Sequence, residues 1–379
     1  MPAYRYFVIG AGGVGPAIPW WLLQRQDTER VVVADADYGR AAKAVARIAT
    51  KDDQRIARCS PVTMDVSFNG SGGRGYRFLE PSFRGFNVVI SAAPAAFSPG
   101  IAQAAALAGA HFCDLGGVLN STMLLHSMHQ SHKTFANTAA VPDCGLMPGL
   151  GNMMAQHLVT EMDGADDVTI YVGGLPQRPE APHNYQRIFS LEGLRHILEK
   201  SSVLRNGDIV GAAPYSELEV LDVPALHRFG TPFGGSVEAF ITAGAGTGPW
   251  WFRDQGVKNF CEKTVRWPGF AQFMRSIPQR EIVQRLERIL PPTDAQHPDF
   301  VWMRVIATKG DRQRQWELLD PYDPALGLSA MARTTGFSAA AVALALAQGM
   351  VSPGVHAPEQ LGPATIGSCL ASLTPALKL

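Results

Sequence analysis

The chain has 379 residues, and its 33 Lys+Arg balance 33 Asp+Glu exactly to a formal net charge of zero, so its charge gives no reason to expect nucleic acid or an anionic membrane as partner. Charged residues make up 17% and apolar residues 46%, with 38 glycines and 27 prolines, against a usual charged share of about 25%. The chain is globular and loop-rich, global disorder is excluded, and the length suggests two domains.

The first element is an apolar run, Tyr4–Gly10 (YRYFVIG). No basic segment with an apolar stretch stands ahead of it, which predicts a cytoplasmic protein. A helix follows through Trp20, Trp21, Leu22 and Leu23, and then a second strand, Arg30–Asp35 (RVVVAD). Ala41–Thr50 has helical composition, Pro61–Val66 reads as a third strand, Asn69–Gly75 (NGSGGRG) as a flexible loop, and Phe86–Ala92 as a fourth strand. Ile101–Ala108 predicts a helix capped by Gly109, followed by short strands at His111–Asp114 and Thr138–Val141. Strands alternating with helices imply right-handed βαβ units and a parallel sheet.

After Asp143 the pattern changes. Asp167–Gly173, Val237–Thr242, Val301–Thr308 and Gln313–Leu319 read as strands of another sheet, the last two joined by a tight Lys309-Gly310-Asp311 turn. Ser329–Met350 returns to helix; its most apolar part, Ser338–Met350, is too short for the roughly 20 residues that span a bilayer. The expected fold is therefore α/β, a doubly wound parallel sheet over residues 1–143 and 329–379, interrupted by an α+β domain with a mixed or antiparallel sheet over 144–328. The five cysteines (Cys59, Cys113, Cys144, Cys261, Cys369) form no CxxC pair and read as free thiols.

Gly10-Ala11-Gly12-Gly13-Val14-Gly15 fits G-x-G-x-x-G between a strand and a helix, with an acid at Asp35, 20 residues beyond Gly15. The first glycine allows the tight turn, the second close approach of a pyrophosphate, and the third helix-to-strand packing, the pattern of a Rossmann dinucleotide site. A carboxylate at Asp35 accepts from a ribose 2′-OH and repels a 2′-phosphate, and Asp37 adds to it, so NAD is favoured over NADP; Arg40 is the residue that could turn to a phosphate. Ser91, Ala92, Ala93 and Pro94 follow the fourth strand at the carboxyl edge, where such sheets bind ligands. Asp65 and Val66, after the third strand, are placed toward the adenine.

Several segments, collinear and covering most of the chain, resemble the saccharopine dehydrogenase superfamily and within it the lysine 6-dehydrogenases. They are Phe7–Gly15, His111–Gly117, Val141–Val159 (VPDCGLMPGLGNMMAQHLV), Gly173–Leu194 (GGLPQRPEAPHNYQRIFSLEGL), Glu238–Phe252, Val257–Phe270 and Met331–Ala343. The resemblance implies an NAD(P)-dependent enzyme working at carbon–nitrogen bonds, with a second domain that supplies substrate and subunit contacts. Two positions depart from the pattern: Phe270 stands where relatives often have histidine, and Glu262 where an aromatic residue is common.

An amine dehydrogenase needs an acid/base near the reacting carbon and charges that orient the rest of the substrate. Asp143 and Cys144, just after the sixth strand, are the candidates for the first task, though Asp143 also suits a turn or N-cap and Cys144 a small buried residue. Asp114, Tyr185, Arg187, Glu192 and Arg266 are the candidates for holding substrate, with an arginine able to grip a carboxylate through two hydrogen bonds. Ser190-x-Glu192 equally reads as the start of a helix Leu191–Lys200. His126, His129 and His132 share a helix without acidic or cysteine partners, so no metal is expected.

The reading these residues support is an NAD-dependent enzyme that oxidises the ε-amine of lysine, or of a close analogue, with release of ammonia. The alternatives are a reductase that forms a secondary amine of the saccharopine or carboxynorspermidine type, and a dinucleotide-binding sensor without turnover. Low charge and the tryptophans Trp250, Trp251 and Trp267 predict a homo-oligomer, a dimer or a dimer of dimers.

Overall fold

The computed structural model describes residues 3–48, 54–67, 75–190, 193–194 and 199–377. Residues 69–74 of the glycine-rich run, Glu192, and most of the segment expected as the helix Leu191–Lys200 lie outside them. Two compact units are present, Met1–Leu150 with Thr335–Ala376, and Gly151–Thr334 with Leu377–Leu379. The first division falls after Leu150 rather than Asp143, because the Cys144 N–H bonds the Asp114 carbonyl (2.8 Å) and so ties the turn that follows Asp143 to the first sheet.

The first unit contains β1 (Tyr4–Ile9), β2 (Thr28–Asp35), β3 (Cys59–Thr63), β4 (Val88–Ser91), β5 (His111–Asp114) and β6 (Ala139–Val141). With the two-residue strand Gly354–Val355 they form one sheet in the order 354–355, β6, β5, β4, β1, β2, β3. Every pairing is parallel. Phe7, Ile9, Val32, Val89 and Phe112 point into a core shared with Phe83, Ile101 and Phe135.

The third strand starts and stops earlier than Pro61–Val66. Its pairing with β2 runs from Val31↔Cys59 to Asp35↔Thr63 and ends where β2 ends. Pro61 is tolerated because β3 is an edge strand, where a missing N–H costs little. The helix Ser98–Leu107 ends as expected, with Gly109 at φ +76° and the Ala110 N–H returning to Ala105 O.

The helix Ala330–Ala347 is 18 residues long, so by length and composition it could cross a membrane, yet 89% of it is buried inside the protein, as in a core helix. Gly336 lets it approach the helix Ala17–Leu23 closely: a Cβ there would stand 2.8 Å from that of Ala17.

The second unit contains β7 (Asp167–Pro176), β8 (Ser201–Arg205), β9 (Asp208–Ala212), β10 (Glu219–Asp222), β11 (Ser236–Ile241), β12 (Asn259–Arg266), β13 (Asp299–Lys309) and β14 (Arg312–Pro321). The sheet runs β10-β11-β12-β7-β13-β14, with β8 on β12 and β9 on β8. It is mixed, since β12 and β7 are parallel and the other pairs antiparallel. Lys309 pairs with Arg312 across a two-residue turn whose Gly310 has φ +55°. One face packs Leu175, Val237, Val265, Trp267, Phe300 and Trp302. Trp267 is thus not available to a subunit contact: it is fully buried, and its indole N–H donates to Pro176 O (2.9 Å). Trp250 and Trp251 are half-buried.

Candidate active site

The glycine turn divides its four glycines between two tasks. Gly10 has φ +98°, and a Cβ there would lie 2.7 Å from the Ala92 carbonyl. A Cβ on Gly15 would overlap the Gly10 carbonyl oxygen. These two hold the turn against the Ser91–Pro94 loop and close it on itself. Gly12 and Gly13 are exposed and meet nothing within 4 Å, which leaves bare backbone for a ligand to approach. Val14 is half-buried beside them.

Asp35 closes the same corner. Its carboxylate accepts from the Ala11 N–H (2.9 Å), the Asp37 N–H (2.9 Å) and the Arg40 guanidinium (Nε 3.0 Å, Nη2 2.9 Å). Burial pushes Asp35 upward, but the N–H groups of Asp37 and Ala11 together with Arg40 outweigh it and hold the carboxyl below its ordinary range. Asp37 itself caps the helix Tyr38–Ala46, accepting from the Gly39 N–H (2.7 Å). The glycine turn, Asp35 and the β4 loop therefore fit a dinucleotide. After β3, Asp65 is exposed and accepts from the Ser67 N–H and hydroxyl, while Val66 packs into the core.

At the carboxyl end of β5 two aspartates meet. The Asp143 N–H donates to Asp114 Oδ1 (2.8 Å). Asp143 Oδ1 accepts from the Gly117 N–H (3.1 Å), and Oδ2 from the Thr122 hydroxyl (2.8 Å). Asp143 adopts φ +65°, a left-handed conformation that aspartate tolerates better than most residues. Gly116 is required beside it, since a Cβ there would overlap Asp143 Oδ1. Burial raises both carboxyls, Asp114 to about 7 with the Asp143 charge as the second cause. Cys144 is fully buried, its thiol toward Val141 O (3.1 Å), and burial beside Cys113 pushes it well up. All five cysteines are free and buried.

In the second unit Tyr185 and Arg266 come together. The Arg266 guanidinium lies 4.9 Å from the Tyr185 ring centre and 5.4 Å from that of Phe270. It is 3% exposed, its Nη1 donates to Val265 O (2.8 Å), and it forms no ion pair among the described residues. Among the described residues Arg266 Nε and the hydroxyls of Tyr185 and the nearby Tyr215 are buried without a close hydrogen-bond partner, the Tyr185 hydroxyl standing beside the Arg266 side chain. Glu238, opposite Arg266 across the strands, spends its oxygens on the Gly269 and Ala271 N–H groups. Arg187 is half-buried and held through its backbone to Pro291 and Thr293. Glu192 lies outside the described residues. Sequence reasoning did not single out Thr122 or Tyr215; neither stands in a local pattern that would mark it.

On the same face of β12, Glu262 is 2% exposed. It meets Thr242 Oγ1 (3.2 Å) and Thr264 Oγ1 (3.1 Å), which are 2.7 Å from each other. Burial raises its carboxyl to about 8.

Residues 6–141 match the saccharopine dehydrogenase NADP binding domain, and residues 145–375 match the saccharopine dehydrogenase C-terminal domain. The chain belongs to the saccharopine dehydrogenase family. It is an oxidoreductase of that family with a nucleotide-binding domain. Its fold is similar to that of a saccharopine dehydrogenase (L-Glu forming) from Saccharomyces cerevisiae, at 16% identity and a TM-score of 0.75, over 99% of this chain and 98% of the other. Looser similarity extends to an engineered D-amino acid dehydrogenase bound to NADP+ (12% identity, TM-score 0.45, 96% of each chain). A C. glutamicum DAP dehydrogenase in complex with DAP is alike at the same level (11% identity, TM-score 0.45, 97% of this chain and 96% of the other).

Proposed function

We propose that this member of the family is an NAD-dependent amine dehydrogenase that oxidises the ε-amine of L-lysine, or a close carboxylate-bearing analogue, to the aldehyde with release of ammonia. The observation that carries this reading is Asp35. It is ionised at neutral pH, stands at the end of β2, and already engages Arg40, the nearby cation that would otherwise be free for a 2′-phosphate. NAD, when bound, supplies a hydride acceptor. Gly12, Gly13, Asp35 and the Ser91–Pro94 loop would hold it.

The chain's own residues have two remaining tasks. Arg266 is a buried cation that forms no ion pair among the described residues, and with the Tyr185 hydroxyl it offers donors suited to a planar carboxylate. The Asp114–Asp143 pair supplies acid/base capacity at the carboxyl end of β5.

A second reading, a saccharopine-type reductase that uses NADPH, is favoured by one feature: the Arg40 side chain is 56% exposed and could exchange its partner. A panel of lysine, ornithine, diamines and saccharopine, assayed with NAD and NADP in parallel and with ammonia measured, separates the two. NAD reduction with lysine and equimolar ammonia is the expected result. Silence with every simple amine, together with NADPH oxidation when an amine and a keto acid are supplied, would replace it with the second.

A further inference from the structure

The Asp114 and Asp143 carboxyls are 3% and 2% exposed, and neither forms an ion pair among the described residues. Among the described residues the donors that reach them are neutral: the Gly117 N–H and Thr122 hydroxyl on Asp143, and the Asp143 N–H, the Gly116 N–H and the Ser98 hydroxyl on Asp114. Two adjoining carboxylates, both ionised and both out of water with no cation, carry a cost that one retained proton removes. The Thr122 hydroxyl and the Gly117 N–H favour the ionised form of Asp143, and the Asp143 charge in turn favours a proton on Asp114.

We propose that the pair holds a single proton at neutral pH and serves as the acid/base of the reaction, with Asp114 exchanging that proton with the substrate amine and Asp143 the positioning residue that sets its affinity. This rests on the amine dehydrogenase reading. In the forward direction the pair acts once its proton has left to solvent: the substrate ammonium loses one proton to the Asp114 carboxylate, which restores the singly protonated pair, and the nitrogen keeps the electron pair of the broken N–H bond. Thr122 acts one step behind: its hydroxyl keeps Asp143 charged, and that charge keeps the Asp114 proton near neutrality.

Among the described residues, the other groups about Asp114 do not supply a competing charge. Cys113 precedes it on β5 with its thiol toward Ala339 O, and His111, at the far end of β5, accepts the Ala139 N–H. Cys144 follows Asp143. The helix Ser98–Leu107 turns the Ser98 hydroxyl to Asp114 and carries no charged residue, nor do β4 and β6. The helix Leu119–His132 faces Asp143 with Thr122.

Infrared difference spectra of the full chain between neutral and alkaline pH should contain a protonated-carboxyl band that Asp114→Asn removes. With lysine and NAD, kcat/KM should fall on the acid side with a midpoint near 7. Asp143→Asn keeps the shape and removes the charge, so it should move that midpoint at least tenfold in proton concentration toward acid. Thr122→Val should move it the same way by less, and carries the test if Asp143→Asn fails to fold. Absence of the band at neutral pH, or an acid limb that stays in place in the folded variants, overturns the proposal. If no amine is oxidised at all, the functional reading falls, and the infrared band alone decides whether the pair shares a proton.

Discussion

Asp35 and Asp114 are the same residue type at the carboxyl ends of two strands of one parallel sheet, yet they are prepared for opposite charge states. Asp35 has two N–H donors and a guanidinium, and its carboxyl is held below the ordinary range. Asp114 has only neutral donors and a second carboxyl at its back, and its value rises to about 7. Burial penalises the charge in both cases. What decides the outcome is whether the donors at the carboxylate outweigh that penalty, as the Asp37 and Ala11 N–H groups and Arg40 do at Asp35 and the donors at Asp114 do not. A permanently charged group suits recognition of a sugar hydroxyl, and a group that titrates near neutrality suits moving a proton.

The most damaging way to break this contrast is steric. Gly116→Ala would drive a Cβ into Asp143 Oδ1 from a backbone at φ +68°. We expect a loss of about 3 kcal/mol or more in stability and a fall in kcat of at least about 100-fold, read by chemical denaturation and steady-state rates. Gly117→Ala, whose Cβ meets nothing within 4 Å, should cost only its positive φ.

A third buried carboxyl sharpens the rule in the other unit. Glu262 accepts from the Thr242 and Thr264 hydroxyls and the Gly244 N–H, but burial outweighs these neutral donors. Its folded value of about 8 lies above the ordinary 4.5. Between those limits the folded chain keeps a proton that the unfolded chain gives up, so wild-type stability falls as pH rises through this window. Glu262→Gln retains a donor and cannot ionise. The two proteins should be equally stable near the bottom of the window, and the variant more stable by on the order of 1–3 kcal/mol above its top, as urea melts across pH would show.

At the charged end, Asp35→Ser should raise the KM for NAD about 10- to 100-fold and improve that for NADP, and an unchanged ratio of the two would remove Asp35 from cofactor choice. The smallest effect is expected from Arg40→Gln. Its side chain is more than half exposed, so its loss should change stability by under about 1 kcal/mol while further weakening NADP.

Much of the first unit was legible because its signals are local. An apolar run ending in glycine, a fixed glycine spacing and an acid at the end of the next strand are all contained in Tyr4–Asp35. The partners of Asp143 were not, because Thr122 is 21 residues away and stands in a stretch with no pattern of its own. In the second unit β7, β11, β13 and β14 alternate or run apolar and could be read. β12 could not: Glu262, Lys263, Thr264 and Arg266 are all buried there, against the rule that such residues face water. Arg266 and Tyr185 were singled out by family resemblance, whereas Trp267, read as a surface tryptophan, completes a core that only the folded sheet reveals.

The first unit also closes late in the chain. Its sheet and core need residues 335–376, which include the strand Gly354–Val355 and most of the long apolar helix. On the ribosome, the first 150 residues must therefore wait for some two hundred more before their last strand and covering helix exist. The intervening unit is continuous apart from its last three residues and has no such wait. The part of the molecule that is first to be translated is thus the later to be finished, and its uncovered apolar surface is where a chaperone would find something to hold.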